Sequence, residues 1–154
     1  MTQLRAGASL ILAAAAALLG IRAAAQPQPE GYLREIRYWT LGEVTRVAVE
    51  TSHETQYRAE RLPNPDRIFF DFQGVRPRPG LRGMQTISVY DPLLKQIRMA
   101  ETQRGVTRVV LDLAAPVEFT ASQLTNPDRL IIELRPAKAA AVAQLSSPAL
   151  ETPK

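Results

Sequence analysis

The residues best equipped for chemistry in this chain are arginines followed at a fixed distance by acids. Arg46-Val-Ala-Val-Glu50, Arg67-Ile-Phe-Phe-Asp71, Arg108-Val-Val-Leu-Asp112 and Arg129-Leu-Ile-Ile-Glu133 share one spacing. On an extended strand, side chains alternate between faces, so the first, third and fifth positions point the same way. Each run therefore presents Arg, an apolar residue and an acid in one row. A guanidinium is a rigid fork of donors that meets a carboxylate bidentately. Arg46, Arg67, Arg108 and Arg129 are thus candidate contacts for an anionic ligand, with Phe69 and Ile131 as apolar platforms beside them. The competing reading pairs each Arg with an acid on a neighbouring strand, at about 0.2–1 kcal/mol per pair, and leaves only a soluble face. Taken one residue at a time, the competing reading is the stronger. For the face as a whole, apolar residues held between two charges tilt the balance towards binding.

Other candidates are weaker. Tyr38, Trp39, Tyr57 and Tyr90 could stack on sugar rings while their polar tips bond hydroxyls. Tyr38 and Trp39 are adjacent, so they point to opposite faces of a strand and at least one is partly exposed. The loop from Arg76 to Arg82 holds Arg76, Arg78 and Arg82 between prolines and suits either an anionic polymer or bare solvent. Asn64-Pro-Asp-Arg67 and Asn126-Pro-Asp-Arg129 look like motifs, but Asn, Pro and Asp in that order make a type I turn feeding a strand.

Much chemistry is excluded. The chain has no Cys and one His, which removes disulfides, thiol catalysis and Cys-based zinc sites. Zinc hydrolases want two or three His with carboxylates at helix or strand spacing, and no H-E-x-x-H occurs. His53 lies in the polar stretch Thr51-Ser-His-Glu-Thr55, and no G-x-S-x-G elbow exists to present a serine to it. It reads as a solvated turn histidine. No catalytic residue, metal or cofactor is assigned.

The chain has 154 residues, 19 Lys+Arg and 15 Asp+Glu, enough for one domain with tails. Its first 25 residues stand apart. Arg5 supplies a positive start, residues 6–21 are Ala/Leu/Ile-rich, and Ala23-Ala-Ala25 ends in a small-residue site, so a secretory signal cleaved between Ala25 and Gln26 is expected. Its apolar run is shorter than the roughly 20 residues of a membrane span. Cleavage removes Arg5 and Arg22 and no acid, leaving 17 basic against 15 acidic groups, a net charge of +2. That modest charge, alternating in sign along the chain, argues against nucleic acid, which wants a clustered basic stripe. A periplasmic or secreted protein with no membrane contact after cleavage is expected. Residues 26–32 read as a Pro-rich leader and 137–154 as an Ala/Pro-rich flexible tail with too few large apolar groups for a core.

Between these tails the pattern is all-β. Runs rich in Val, Ile, Phe and Tyr are separated by Pro, Gly, Asn and Asp, and none sustains a 3.6-residue period. Strands are predicted at 32–39, 44–51, 55–61, 67–73, 85–90, 94–100, 106–113, 117–124 and 129–135, with Gly74–Gly80 as a loop. The strongest signal is internal. Thr45-Arg-Val47 recurs as Thr107-Arg-Val109 and Asn64-Pro-Asp-Arg67 as Asn126-Pro-Asp-Arg129, each pair 62 positions apart. Leu33-Arg-Glu-Ile-Arg37 resembles Leu94-Lys-Gln-Ile-Arg98 at an offset of 61. Two copies of a four-strand unit, each unable to bury its apolar face alone, imply a β-sandwich of two pseudo-symmetric four-stranded sheets. Parity places Val47, Val49, Ile68, Phe70, Phe72, Val109, Leu111, Leu130, Ile132 and Leu134 inside. Phe69 falls outside, so its truncation is expected to cost far less than that of Phe70.

These residues resemble a known family. Val44-Thr-Arg-Val-Ala-Val-Glu50, Pro63-Asn-Pro-Asp-Arg-Ile-Phe-Phe-Asp-Phe72, Gly105-Val-Thr-Arg-Val-Val-Leu-Asp-Leu113 and Leu124-Thr-Asn-Pro-Asp-Arg-Leu-Ile-Ile-Glu-Leu134 resemble the AMIN domain over residues 33–136. The resemblance implies a periplasmic module of two symmetric four-stranded sheets that accompanies N-acetylmuramoyl-L-alanine amidases and type IV pilus secretins. It also implies a localising role through peptidoglycan. The zinc-binding His and Glu of an amidase domain do not follow residue 136, so catalysis is not carried over. The expected function is a non-catalytic cell-wall module. The alternative is a docking domain for an envelope complex, a divisome or pilus secretin component, reached through a sheet edge or the same outer face. A third reading is an enzyme fragment whose catalytic half lies elsewhere.

Overall fold

The computed structural model describes residues 30–138. The signal segment, most of the leader and nearly all of the tail lie outside these residues. Ten strands form in chain order: β1 Gly31–Leu41, β2 Val44–Thr51, β3 Tyr57–Leu62, β4 Arg67–Gln73 and β5 Val75–Pro77, then β6 Gln85–Ser88, β7 Leu94–Gln103, β8 Val106–Leu113, β9 Val117–Leu124 and β10 Arg129–Pro136. β2, β4, β8 and β9 match the predicted bounds. β1 begins two residues before the expected leader boundary.

Local chemistry explains the hairpins. β1 and β2 are joined by Gly42-Glu43, and β7 and β8 by Arg104-Gly105. Gly42 (φ 61°) and Gly105 (φ 74°) supply the left-handed conformation that two-residue hairpin turns require. β3–β4 and β9–β10 turn through Asn-Pro-Asp. In both copies the Asn–Pro bond is cis and the Asn is left-handed, at φ 54° for Asn64 and 57° for Asn126. The residue types announce the turn, but the isomer is visible only in the structure.

The strands make two sheets of five, ordered β5-β1-β2-β10-β9 and β3-β4-β8-β7-β6. Each repeat gives its first hairpin to one sheet and its second to the other. β1–β2 of the first copy thus lies beside β9–β10 of the second, and β3–β4 beside β7–β8. The seams between copies are the antiparallel pairs β2–β10 and β4–β8. The four-strand cores of the two sheets correspond under the repeat, as expected. The fifth strand in each is the difference: β5 pairs in parallel with β1, and β6 antiparallel with β7. The Gly74–Gly80 stretch is therefore not wholly a loop. Val75 is fully buried, and this apolar anchor holds three residues on the sheet edge before Pro77 ends the ladder.

The ten residues placed inside by parity are all 2% exposed or less. Leu33, Leu94 and Ile97 join them from β1 and β7, and Val117 from β9. Tyr57 packs on the core, tilted against Phe70 and Phe72 with centroids 6.1 and 6.3 Å away, so it is no platform for sugars. Phe119 meets Phe70 edge-on at 6.0 Å.

Asp91, between β6 and β7, ties the two sheets together. Its carboxylate accepts hydrogen bonds from the Thr40 and Thr45 hydroxyls on the β1–β2 hairpin, at 2.7 and 2.6 Å, and from the Leu93 amide at 2.8 Å. Burial pushes its pKa up, but the two hydroxyls and the Leu93 and Leu94 amides outweigh it and hold the group below its ordinary value. A depressed folded pKa stabilises the fold above the unfolded value, about 3.9, and that contribution disappears as pH falls through the folded value. Asp91→Ala is therefore expected to destabilise the protein by about 1–3 kcal/mol at neutral pH. In urea titrations, the gap between wild type and variant should narrow below about pH 4. A gap independent of pH would show that the ionised carboxylate is not what holds the hairpin.

Candidate functional site

The six candidate ligand contacts divide between opposite outer faces of the sandwich. Arg67, Phe69 and Arg108 lie on the second sheet, and Arg46, Arg129 and Ile131 on the first. The repeat makes these faces equivalent by position, yet they are built differently.

On the second sheet, register places Arg98, Val110, Phe69 and Glu60 in one row across β7, β8, β4 and β3. Arg108 and Asp71 are direct cross-strand neighbours in the next row. Arg108 donates from Nε and Nη2 to the two oxygens of Asp71, both at 2.7 Å. Arg98 grips Asp112 in the same way at 2.6 and 2.7 Å, and Gln96 adds a third donor at 2.7 Å. Burial pushes the Asp112 carboxyl up, but Arg98, Gln96 and the more distant Arg67 bring it below its usual range. Bidentate pairs of this kind fix both partners. The Arg108 guanidinium also lies over the Phe69 ring, 4.0 Å from its centroid, a cation–π contact.

Phe69 is accordingly 5% exposed, not the open platform that alternation suggested. Its parity is outward, but Arg108 roofs it, Val110 flanks it on β8 and Glu60 on β3. The face closes at Arg98 and Arg108, whereas Arg67, in register with Asp112, makes no ion pair among the described residues.

On the first sheet the corresponding rows stay open. Arg37, Ala48, Ile131 and Ser122 stand in line across β1, β2, β10 and β9, with Trp39, Arg46, Glu133 and Thr120 on one side. Glu35, Glu50, Arg129 and Leu124 stand on the other. Ala48 occupies the place of Val110, Ser122 that of Glu60, and Ile131 that of Phe69. Smaller side chains lower the floor, and Trp39, where the other copy has Ala100, raises a wall. The result is a groove of about 630 Å³ crossing four strands, flanked by Arg37, Arg46 and Arg129.

Its ion pairs are looser. Arg46 reaches Glu133 through Nη2 alone, at 2.7 Å, and its Nε is buried without a hydrogen-bond partner among the described residues. Arg135 takes the other Glu133 oxygen at 2.9 Å, and this bond is the main cause holding the Glu133 carboxyl below its usual range. Glu50 is opposite Arg129 in register, yet its oxygens go to Arg37 at 3.1 Å and Arg34 at 3.8 Å. Arg129 makes no ion pair among the described residues.

Trp39, on the groove wall, and Tyr38, on the other side of β1, are both 40% exposed. Tyr90 is almost wholly exposed. In the connector, Arg76 is engaged by Glu30 at 3.3 Å and Glu101 at 3.5 Å, whereas Arg78 and Arg82 face solvent. His53 is half-buried, not fully solvated, and packs so closely against Gly31 that a β-carbon there would overlap its ring. Ser52 Oγ lies 3.2 Å from His53 Nδ1. That hydroxyl already accepts from the Tyr32 amide at 3.0 Å, which makes the pair a strand-end clasp. Among the described residues no three His, Cys, Asp or Glu side chains are grouped to hold a metal, and no helix is long and apolar enough to cross a membrane.

Two interlocked copies of a four-strand unit, with one outer face filled and the other grooved, define an all-β sandwich built from an internal repeat. Residues 35–134 match the AMIN domain, and the chain belongs to that family, a non-catalytic domain found in amidases and secretins. The chain is also 28% identical over 105 residues to the N-acetylmuramoyl-L-alanine amidase AmiC of Neisseria meningitidis serogroup B (strain ATCC BAA-335 / MC58). The match spans 65% of this chain but 25% of that protein, and it falls in the AMIN region.

The closed row gives a direct test. Phe69→Ala is expected to cost about 3–5 kcal/mol, in the same range as Phe70→Ala. Denaturant midpoints measure both. A near-neutral Phe69→Ala would mean that Arg108 does not seal the face.

Proposed function

We propose that this chain is an exported, non-catalytic module that localises in the cell envelope by binding peptidoglycan non-covalently through the grooved face of its first sheet. The observation that carries the reading is the difference between two faces that the repeat makes equivalent. The second sheet commits Arg98 and Arg108 to its own acids in bidentate pairs and covers its aromatic residue. The first sheet keeps a cleft with an exposed Trp39 and a lowered apolar floor. Arg129, which like its counterpart Arg67 makes no ion pair among the described residues, opens onto it. Solubility alone would be served equally well by a closed face, as the second sheet demonstrates. Family membership supplies the setting, since AMIN domains accompany proteins of the envelope. On this reading Arg46, Arg129 and Ile131 line the ligand site, while Phe69 and Arg108 stabilise the opposite sheet and Arg67 stands on it without an ion pair among the described residues. No cofactor or metal is required.

Sedimentation with purified, protein-free sacculi tests the reading. The wild-type protein should co-sediment, and binding should weaken as salt screens the exposed arginines. Trp39→Ala should lose binding and remain folded, because Trp39 stands clear of the core. Arg58→Gln, at a side chain 70% exposed on the second sheet, should bind like wild type. Wild-type protein left in the supernatant would instead favour docking to an envelope protein. The unpaired edge of β9, eight residues with Glu118 as its one charge, would then be the first surface to examine.

A further inference from the structure

We infer that the groove reads a peptide carboxylate: the free end of a stem peptide bearing a methyl-sized side chain, held by Arg129 and packed against Trp39. This rests on the wall-binding reading and names which part of the wall is recognised.

The argument is an inventory of unspent hydrogen-bonding capacity. The acid lining the groove is Glu133, shared between Arg46 and Arg135. In the flanking row Glu50 is shared between Arg34 and Arg37, and the more exposed Glu35 lies 3.5 Å from Arg37. What remains around the floor is chiefly donor capacity, on Arg37, Arg46 and Arg129, since a guanidinium has no acceptor at all. The hydroxyl of Ser122 is a small exception. A sugar ring presents hydroxyls that both donate and accept, so a site built for it needs free acceptors beside its aromatic platform. A carboxylate accepts only, and it satisfies a guanidinium with two parallel bonds.

The second sheet shows what such a fork does when an acid is within reach, in the bidentate pairs Arg108–Asp71 and Arg98–Asp112. On the first sheet the acid in register with Arg129 is Glu50, and Arg34 and Arg37 draw it away. Arg129 is left at the groove with Leu124 beside it and Ile131 one row along. A ligand carboxylate gives Arg129 the bidentate partner that Asp71 gives Arg108 and Asp112 gives Arg98. Arg67, the repeat counterpart of Arg129, also lacks an ion pair among the described residues, but there Phe69 and Arg108 fill the surface that the groove leaves open beside Arg129.

Shape agrees with charge. Ala48 is 5% exposed and stands where the closed face carries Val110. The space left over the floor takes a small alkyl group, and Trp39 supplies an apolar wall at the far side. A terminal alanine seats its carboxylate on Arg129 and its methyl on the Ala48–Ile131 floor, and the peptide before it runs towards Trp39, two strands and two rows away. A bare inorganic anion would leave the wall and floor unused.

Trp39 is the single tryptophan of the chain, so its fluorescence reports directly on the groove. The test titrates the purified protein with a synthetic stem peptide ending in D-Ala-D-Ala. It compares the free acid with the C-terminal amide, up to about 10 mM because one charged contact binds weakly. Chitotetraose serves as the glycan probe. The free acid should shift Trp39 emission saturably, and the amide should bind at least tenfold more weakly. Chitotetraose should leave the emission unchanged. Arg129→Gln should weaken the acid at least tenfold and leave the amide alone, with an unaltered circular dichroism spectrum.

Equal titration by acid and amide, a chitotetraose response matching the acid, or an Arg129→Gln protein with wild-type affinity would each overturn the inference. The two readings fail separately. Sacculi that sediment Arg129→Gln as well as wild type, with no response to the free peptide acid, sink the carboxylate inference and leave wall binding standing. Failure of the wild-type protein to sediment with sacculi removes the wall reading and this inference together.

Discussion

The structure depends on the two seams where the repeats meet, β2 against β10 and β4 against β8. A four-strand unit of this sequence has an apolar row on every strand and only its own two hairpins to cover them. Sending one hairpin to each sheet leaves both hairpins with an open backbone edge and an open apolar face. Each copy closes both deficits of the other at once: its hairpins complete the ladders, and its inner rows complete the core. Val47 and Val49 sit beside Ile132 and Leu130 across one seam, and Ile68 and Phe70 beside Leu111 and Val109 across the other. The core is therefore a property of the pair of repeats. With no cysteine to form a disulfide staple, burial of these side chains must outweigh the entropy of ordering the chain.

Once the inner rows are committed to the core, the outer rows are the part of the repeat free to diverge. Both copies keep the Arg-apolar-acid spacing, because alternating charges suit a solvated antiparallel face. The copies differ in the middle position and at the flank. Phe69 and Val110 fill the centre of one face, and Arg108 folds down onto the ring. Ile131 and Ala48 leave the centre of the other face low. The same motif therefore acts as a lock on one side and a cleft on the other, and the determining substitutions on these rows are a handful of side-chain volumes.

Much of the fold was legible because it rests on two regularities that sequence displays openly, period-2 alternation and a gapless repeat. Strand bounds, the inner rows and the two-copy architecture follow from them. What was not legible depended on partners brought together by folding. Phe69 has outward parity, yet its exposure is decided by Arg108, 39 residues away in sequence. Alternation says which way a side chain points, not what covers it. The Val75 strand was hidden because Pro77 and Pro79 dominate that stretch, while the edge of β1 that receives it is a tertiary feature. The pairing of hairpins between repeats was invisible for the same reason: a repeat announces that two units are alike, not which strands they exchange.

The site was half legible. Arg46, Arg129 and Ile131 were correctly singled out as outward residues, but so were their counterparts Arg67, Arg108 and Phe69, and the motif by itself does not separate the two sets. A signal that does was present in the alignment of the copies: Ala48 against Val110, Ser122 against Glu60, Trp39 against Ala100. Each substitution lowers the floor or raises the wall on the same side. The repeats supply an internal control, since the sealed face shows what the motif does when stability alone is served. Where two copies of one unit share a core and differ in their outer faces, the copy that gives up packing is the one to examine for a ligand. Its missing volume describes that ligand's shape, and the guanidiniums that border the cleft describe its sign.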